Sequence, residues 1–248
     1  MFVRAQQAKS QAMLSFIVPA HNEELELPGS LTAIRSAAEN AGRPFEIIVV
    51  DDSSTDRTSL IARQHGAHVI SIRKRHIAAA RNAGARASRG DILFFIDADT
   101  RIAAGHIAAA IAALEKGCAG GSARMQFDRA VPFWAELFFQ VFATIYFAAN
   151  LGAGAFFFTR RENFFAAGGF DEQFFAGEET FLSIALKQFG RFRILKQPVI
   201  TSGRKVRLHR PQYVMKKWFA ILFGGVRALR SREKLDLWYD GKREQPVA

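Results

Sequence analysis

Short apolar runs rich in Ile, Val and Phe recur along the first part of the chain: LSFIVP from residue 14, FEIIVVDD from 45, AHVISI from 67 and DILFFID from 91. Between them lie segments with helical spacing of apolar positions, EELELPGSLTAIRSAAENAG, STDRTSLIARQHG and IAAARNAGARASRG. Strand alternating with helix predicts βαβ units and a mostly parallel sheet flanked by helices, an α/β fold. Gly42, Gly66 and Gly90 punctuate the helix ends as C-terminal caps do, and Ser53, Ser54 and Thr55 offer N-caps for the helix after VVDD. Beyond about residue 117 the alternation breaks down, and 15 of the 24 Phe residues fall between 124 and 181. With no Pro/Ser-rich linker and no internal repeat, the pattern predicts one domain over 1–210. Its front half, of nucleotide-binding type in its alternation, covers about 14–117, its more specialised back half about 118–210, and 211–248 form a basic amphipathic, helical C-terminal extension.

Three strand ends carry polar groups: VPAHNEE, VVDDSSTD and FIDADT. Ligands of open α/β sheets lie beyond the carboxyl ends of the strands, so His21 and Asn22, Asp51 and Asp52, and Asp97 and Asp99 share one rim. Any single strand-end Asp is most simply a turn or cap residue; three such ends on one sheet make a site. Asp97 and Asp99, with only Ala98 between them, repel each other and resist desolvation, so a cation is their expected partner.

Composition narrows the function classes. Hydrophobic residues make up 49% and charged residues 23%, which fits a folded globular chain and excludes a disordered or collagenous one. Cys118 is the single cysteine, expected as a buried small side chain in a reducing compartment. The first residues lack the apolar core of a secretory signal, which predicts a cytoplasmic protein. The most apolar long segment, 131–151, is interrupted by Pro132, Glu136, Gln140 and Asn150 and predicts no membrane-spanning helix. Net charge is +11, and its distribution is uneven: residues 1–186 hold 18 Lys and Arg against 19 Asp and Glu, whereas 187–248 hold 16 against 4. The basic last quarter points to an anionic partner, but the chain lacks zinc-finger spacing, an RNA-recognition signature and a helix-turn-helix pattern, which excludes nucleic acid.

The segments SFIVPAHNEE, EIIVVDDSSTDRT, ARNAGARASRGDILFFIDADT and GGFDEQFFAGEETFLSIALKQFGR together resemble the family 2 glycosyltransferases of the GT-A fold, from about Ser15 to about Gly190. The resemblance implies transfer of a sugar from a nucleotide-sugar donor of the UDP or GDP type, usually with inversion. It also implies that Pro19, Ala20 and Glu23 lie along the nucleotide and that Asp52 accepts a hydrogen bond from the base. Asp97 then lies near the ribose or metal, and Asp99 ligates a divalent cation on the diphosphate. Mg²⁺ or Mn²⁺ suits that setting, since both take hard oxygen ligands from one or two carboxylates plus substrate phosphates. Arg81 touches the donor, neutralises Asp97 or is a solvated helix residue, and Asn82 reads as structural.

AGEETFL, 176–182, resembles the family's acidic helix start, whose second acidic residue is the general base; that position is Glu179, beside Glu178. The chain departs from the family pattern twice, with Glu in place of the usual Asp and Phe181 in place of the later Asp. The plain alternative is that both glutamates complement a helix dipole. GAGAFFF resembles the strand before the acceptor loop, with its Phe triplet in the core. Arg204, Lys205, Arg207 and His209 follow the expected strand PVIT, and His209 is a candidate metal ligand alongside Asp97 and Asp99.

MKKWFAILFGGVRALRSR sets Trp218 to Val226 between basic residues, and 132–150 form an aromatic helix with a thin polar stripe at Glu136, Gln140 and Thr144. Two readings stand side by side: peripheral association with the inner face of an anionic membrane, near a lipid-linked acceptor, or packing of these helices on each other. Two rival functions keep part of the pattern. A non-catalytic sugar-nucleotide binding protein would not require Glu179, and a phosphoacceptor receiver would need a strand-end lysine where no lysine lies between Lys116 and Lys187.

Overall fold

The computed structural model describes residues 11–235, with the side chains at 138, 142, 218–224 and 234 outside that description. Residues 1–10 and the part of the expected extension beyond 235 lie outside the described residues, as do most side chains of the Trp218 to Val226 segment.

The front half alternates as its pattern predicts: β1 (Leu14–Ala20), α1 (Leu27–Asn40), β2 (Phe45–Asp52), α2 (Thr58–Gln64), β3 (His68–Ile72), α3 (Ile77–Ala87) and β4 (Ile92–Ile96). The back half holds β5 (Thr100–Arg101), α4 (Ala104–Glu115), β6 (Cys118–Phe127), α5 (Phe133–Ala148), β7 (Phe156–Arg160), α6 (Arg161–Ala166), α7 (Glu178–Leu186), β8 (Arg191–Thr201), α8 (Arg204–Leu208) and α9 (Pro211–Leu229). The expected strand PVIT is thus only the end of the longer β8. All eight strands form one sheet in the order β3-β2-β1-β4-β7-β6-β8-β5.

The sheet is mostly parallel, as the sequence pattern predicts, with antiparallel pairings at β7 and β5. Strands β3, β2, β1 and β4 run parallel, as do β6 and β8, but β7 is antiparallel to both β4 and β6. The cause is where the chain re-enters: Phe156, the first residue of β7, pairs with Ile96, the last of β4, so β7 starts at the rim and runs back into the core.

Successive strand residues face opposite sides, and the two cores follow that period of two. Phe16, Val18, Phe94, Phe156 and Phe158 pack with α1 and α4 on one face, while Ile17, Ile48, Phe95 and Phe157 pack with α3, α6 and α7 on the other. The Phe triplet is fully buried, and each such side chain contributes about 1.5–3 kcal/mol relative to exposure. Cys118 is buried, as expected.

Two local expectations change. α2 begins at Thr58, later than the serines would place it: Asp56 Oδ1 accepts the Thr58 amide at 2.9 Å and its hydroxyl at 2.5 Å, while Ser54 and Thr55 are committed to the loop after β1. Gly42 and Gly66 take the positive φ of helix C-caps, but Gly90 does not; a Cβ there would strike Ser15, so close approach to β1 is what it permits.

Candidate active site

The rim is assembled from loops fastened to one another. Asn22 Oδ1 accepts the Thr55 amide at 2.8 Å and Ser54 Oγ accepts the Asn22 amide at 3.0 Å, tying the loop after β1 to the loop after β2. Pro19 and Ala20 end β1 in register with Val50 and Asp51. Asp51 accepts the Ser54 amide and the Ser59 hydroxyl. Asp52 lies deeper: Oδ1 accepts the amides of Lys74 and Arg75 at 2.8 and 2.7 Å, and Oδ2 that of His76 at 2.7 Å. Burial works to raise its carboxyl, but the amides of His76, Arg75 and Lys74 outweigh it and hold the group below its ordinary value. Asp52 therefore shapes the 73–76 loop, with its carboxylate already engaged by three backbone donors.

The two carboxylates of the DxD segment each find an arginine. Arg81, buried on α3, donates from Nη2 to Asp97 Oδ1 at 2.8 Å and from Nη1 to Glu178 Oε1 at 2.5 Å, and its Nη1 lies 3.9 Å from Glu179 Oε2. Its guanidinium also lies over the Phe170 ring, 5.2 Å from the centroid. Burial opposes its charge, yet Asp97, Glu178 and Glu179 together raise its basicity. Any side chain at 154 would collide with Arg81 Nη2, which explains a glycine in the segment leading into β7. Neighbouring Asn82 clamps the turn before α7, donating to the Phe170 carbonyl and accepting the Phe170 amide, the structural part its sequence context suggested.

Asp99 faces a second arginine. Arg204 at the start of α8 binds Glu23 through two bonds, of 2.6 and 2.5 Å, and lies 3.2 Å from Asp99 Oδ2. Burial pushes the Asp99 carboxyl up to about 7; Arg204 opposes this, and the nearby carboxylates of Glu23, Asp97 and Glu26 add to it. Asp97 has Arg81 and Glu26 has Arg101, so Glu23 and Asp99 share the single charge of Arg204. Asp97 uses Oδ1 for its arginine, and among the described residues Asp99 Oδ1 meets the Thr201 hydroxyl alone, at 3.4 Å. Hard carboxylate oxygens in acidic surroundings fit a divalent cation such as Mg²⁺ or Mn²⁺. Among the described residues no three His, Cys, Asp or Glu side chains converge into a metal cage, so such an ion would need substrate oxygens as further ligands. His209, at the C-terminal cap of α8, stacks on Tyr213 with ring centroids 5.1 Å apart, and is not gathered with Asp97 and Asp99 into a set of three.

On the far side of Arg81, α7 starts at Glu178 behind Gly177, whose φ is 74°. Side-chain exposure separates the two glutamates: Glu178 retains 2% and Glu179 19%. Burial, then the charge of Glu179, pushes the Glu178 carboxyl up to about 8 against the pull of Arg81. Tyr146 of α5, which the sequence did not single out, donates to the Gly152 carbonyl at 2.5 Å and lies 2.6 Å from the hydroxyl of Thr180, next to Glu179. Its hydroxyl is pushed up, first by burial and then by Glu179. Among solved structures, the chain superposes on mannosyl-3-phosphoglycerate synthase from Rubrobacter xylanophilus with a TM-score of 0.61 at 20% identity, over 90% of this chain and 76% of that one. It superposes likewise on glucosyl-3-phosphoglycerate synthase from Mycobacterium tuberculosis, solved with Mn²⁺, UDP and phosphoglyceric acid, with a TM-score of 0.59 at 18% identity over 94% and 79%.

These likenesses define the fold as that of the GT-A glycosyltransferases. The family model for glycosyl transferase family 2 matches residues 15–170, and the chain belongs to that family. An undecaprenyl-phosphate 4-deoxy-4-formamido-L-arabinose transferase of Pseudomonas paraeruginosa is 37% identical over 94 residues, 35% of this chain and 28% of that protein, so the match spans less than a third of that relative's length.

Proposed function

We propose that this glycosyltransferase moves a sugar from a nucleoside-diphosphate sugar, of the UDP or GDP type, to a lipid-linked acceptor, with inversion at the anomeric carbon. The carrying observation is that one guanidinium, Arg81, reaches both Asp97 on the donor side and the glutamates of α7 on the acceptor side. A donor whose diphosphate lies at Asp97 and Asp99 has its anomeric carbon between these carboxylates and Glu179. Glu179, the more exposed of the pair, is the general base that takes the acceptor proton; buried Glu178 braces Arg81. Pro19, Ala20 and Glu23 border the nucleotide, and Asp52 sets the loop against which the base lies. Asp97 and Asp99 would hold Mn²⁺ or Mg²⁺, which supplies charge neutralisation on the departing diphosphate. The Mn²⁺ and UDP named with the mycobacterial neighbour support this reading.

The lipid-linked acceptor rests on the undecaprenyl phosphate in the name of the Pseudomonas relative and on the basic last quarter of the chain. No helix among the described residues is long and apolar enough to cross a membrane, so the association is peripheral, on an anionic surface. Incubation with a panel of UDP and GDP sugars plus Mn²⁺ tests the donor reading. Metal-dependent hydrolysis of at least one sugar nucleotide is expected, and metal-dependent binding of none of them contradicts the proposal.

A further inference from the structure

Helix α5 is apolar almost all round, and one side of it is left uncovered among the described residues. Its inner side is used: Ala135 and Phe147 are buried, Phe139 packs on Phe127 with ring centroids 4.7 Å apart, and Tyr146 bonds to the acceptor side of the site. Its outer side carries Phe133, Leu137, Val141 and Ile145, exposed by 80, 53, 55 and 69%. Residues four apart on a helix drift by about 40°, so these four form one continuous stripe along the whole helix. A narrow polar line borders it, in which Gln140 donates to Glu136 at 2.8 Å and Thr144 to the Gln140 carbonyl at 2.7 Å.

Cations stand at both ends of the stripe. Lys187 donates from Nζ to the carbonyl of Ala149, just past the C-terminal end of α5. Before the other end, exposed Arg129 stands four residues ahead of Phe133, in the segment on which α8 packs through Gly203 and Arg207. An apolar helical face flanked by exposed cations is complementary to a bilayer interface with anionic headgroups. It suits a second copy of this basic chain less well, because like charges would be brought together.

We infer that the outer face of α5 is the surface by which this protein seats itself on an anionic lipid leaflet, with Phe133, Leu137, Val141 and Ile145 in the acyl boundary and Lys187 and Arg129 among the headgroups. The inference deepens the reading of a lipid-linked acceptor and rests on it in one respect: the opposite side of the same helix holds Thr180, beside Glu179, through Tyr146. A leaflet against α5 therefore lies next to the proposed base, and an acceptor headgroup reaches it without leaving the bilayer surface.

The test is flotation of the full-length protein with vesicles of phosphatidylcholine containing about one-third phosphatidylglycerol at low salt. Wild type is expected to float, less so in plain phosphatidylcholine or high salt. The double variant Leu137→Glu, Val141→Glu should lose at least tenfold in bound fraction while its melting temperature and its metal-dependent binding of sugar nucleotide stay as in wild type. Flotation unchanged by the double substitution overturns the inference, as does failure of wild type to float. A lipid-free dimer that the same substitutions dissociate, with no flotation, assigns the face to a second copy and also overturns it. Flotation with the expected sensitivity but no binding of any sugar nucleotide would leave the docking face standing and remove the enzymatic reading instead.

Discussion

Arg81 Nη1 stands 2.5 Å from Glu178 Oε1, and this contact fastens α3 to the start of α7, the helices to which the proposal gives the donor and acceptor sides. Both side chains are buried, and the second arm of the guanidinium goes to Asp97. A buried ion pair is poor evidence of stability, because desolvation offsets its attraction. Its value here is geometric: it fixes the distance between the donor-side carboxylates and Glu179.

Removing the arginine should therefore cost far more than neutralising its partner. Arg81→Met leaves two carboxylates without a counter-charge and is expected to destabilise the fold by about 3–5 kcal/mol. Glu178→Gln keeps a hydrogen-bond acceptor for Arg81 and removes a charge that burial and Glu179 already disfavour, so it should cost well under the arginine loss. Urea unfolding of both variants checks the order; equal losses would show that the network acts through packing alone.

Asp99 gives a prediction with opposite signs for stability and binding. Its carboxyl is pushed up to about 7, mainly by burial, so the folded state holds a proton that the unfolded chain releases near pH 4, and stability falls as pH rises between those values. Asp99→Asn escapes this loss, so its ligand-free melting temperature should gain on wild type across that range while metal-dependent nucleotide binding disappears. Calorimetry with Mn²⁺ and nucleotide, paired with thermal melts at several pH values, reads both. Retained metal-dependent binding would remove Asp99 from the metal site.

Asp128 behaves in the reverse sense. Burial works to raise its carboxyl, but the Gly203 amide and the guanidinium groups of Arg207 and Arg129 hold it at about 2. The stabilisation is present above the ordinary value of 3.8 and is lost as pH falls through about 2. Asp128→Asn should cost about 1 kcal/mol at neutral pH, allowing for solvent screening, and the gap to wild type should close in acid. A constant gap over that range would mean that the Asp128 contacts are not charge-dependent.

Tyr146→Phe tests the support of the base from α5. Loss of its hydrogen bonds to Thr180 and the Gly152 carbonyl is expected to lower turnover about 3- to 10-fold, with donor KM little changed. A change confined to donor KM would place Tyr146 on the other side of the site.

Much of this arrangement is legible in the sequence because it is local. Alternating apolar runs give β1 to β4, and strand-end residues on parallel neighbours must share a rim, so Asp52, Asp97 and Asp99 are found from spacing alone. The partners of those carboxylates are not local. Arg204 meets Glu23 and Asp99 only because β8 returns beside β6 and delivers α8 to the rim, and Arg81 was readable as a partner of Asp97 but not as a link to Glu178. Tyr146 sits in an aromatic helix where nothing marks it from its neighbours. Asp52 shows the converse: its position is clear from the sequence, whereas its bonds to the 74–76 amides depend on the path of the loop after β3.

The central claim is that Glu179 takes the acceptor proton while Glu178 only positions Arg81, and single-turnover kinetics of two variants with the same donor and metal test it most directly. Glu179→Gln should bind donor normally and lose about 10²- to 10⁴-fold in the rate of transfer, whereas Glu178→Gln should lose much less. A Glu179→Gln protein that turns over within a few-fold of wild type would contradict the account.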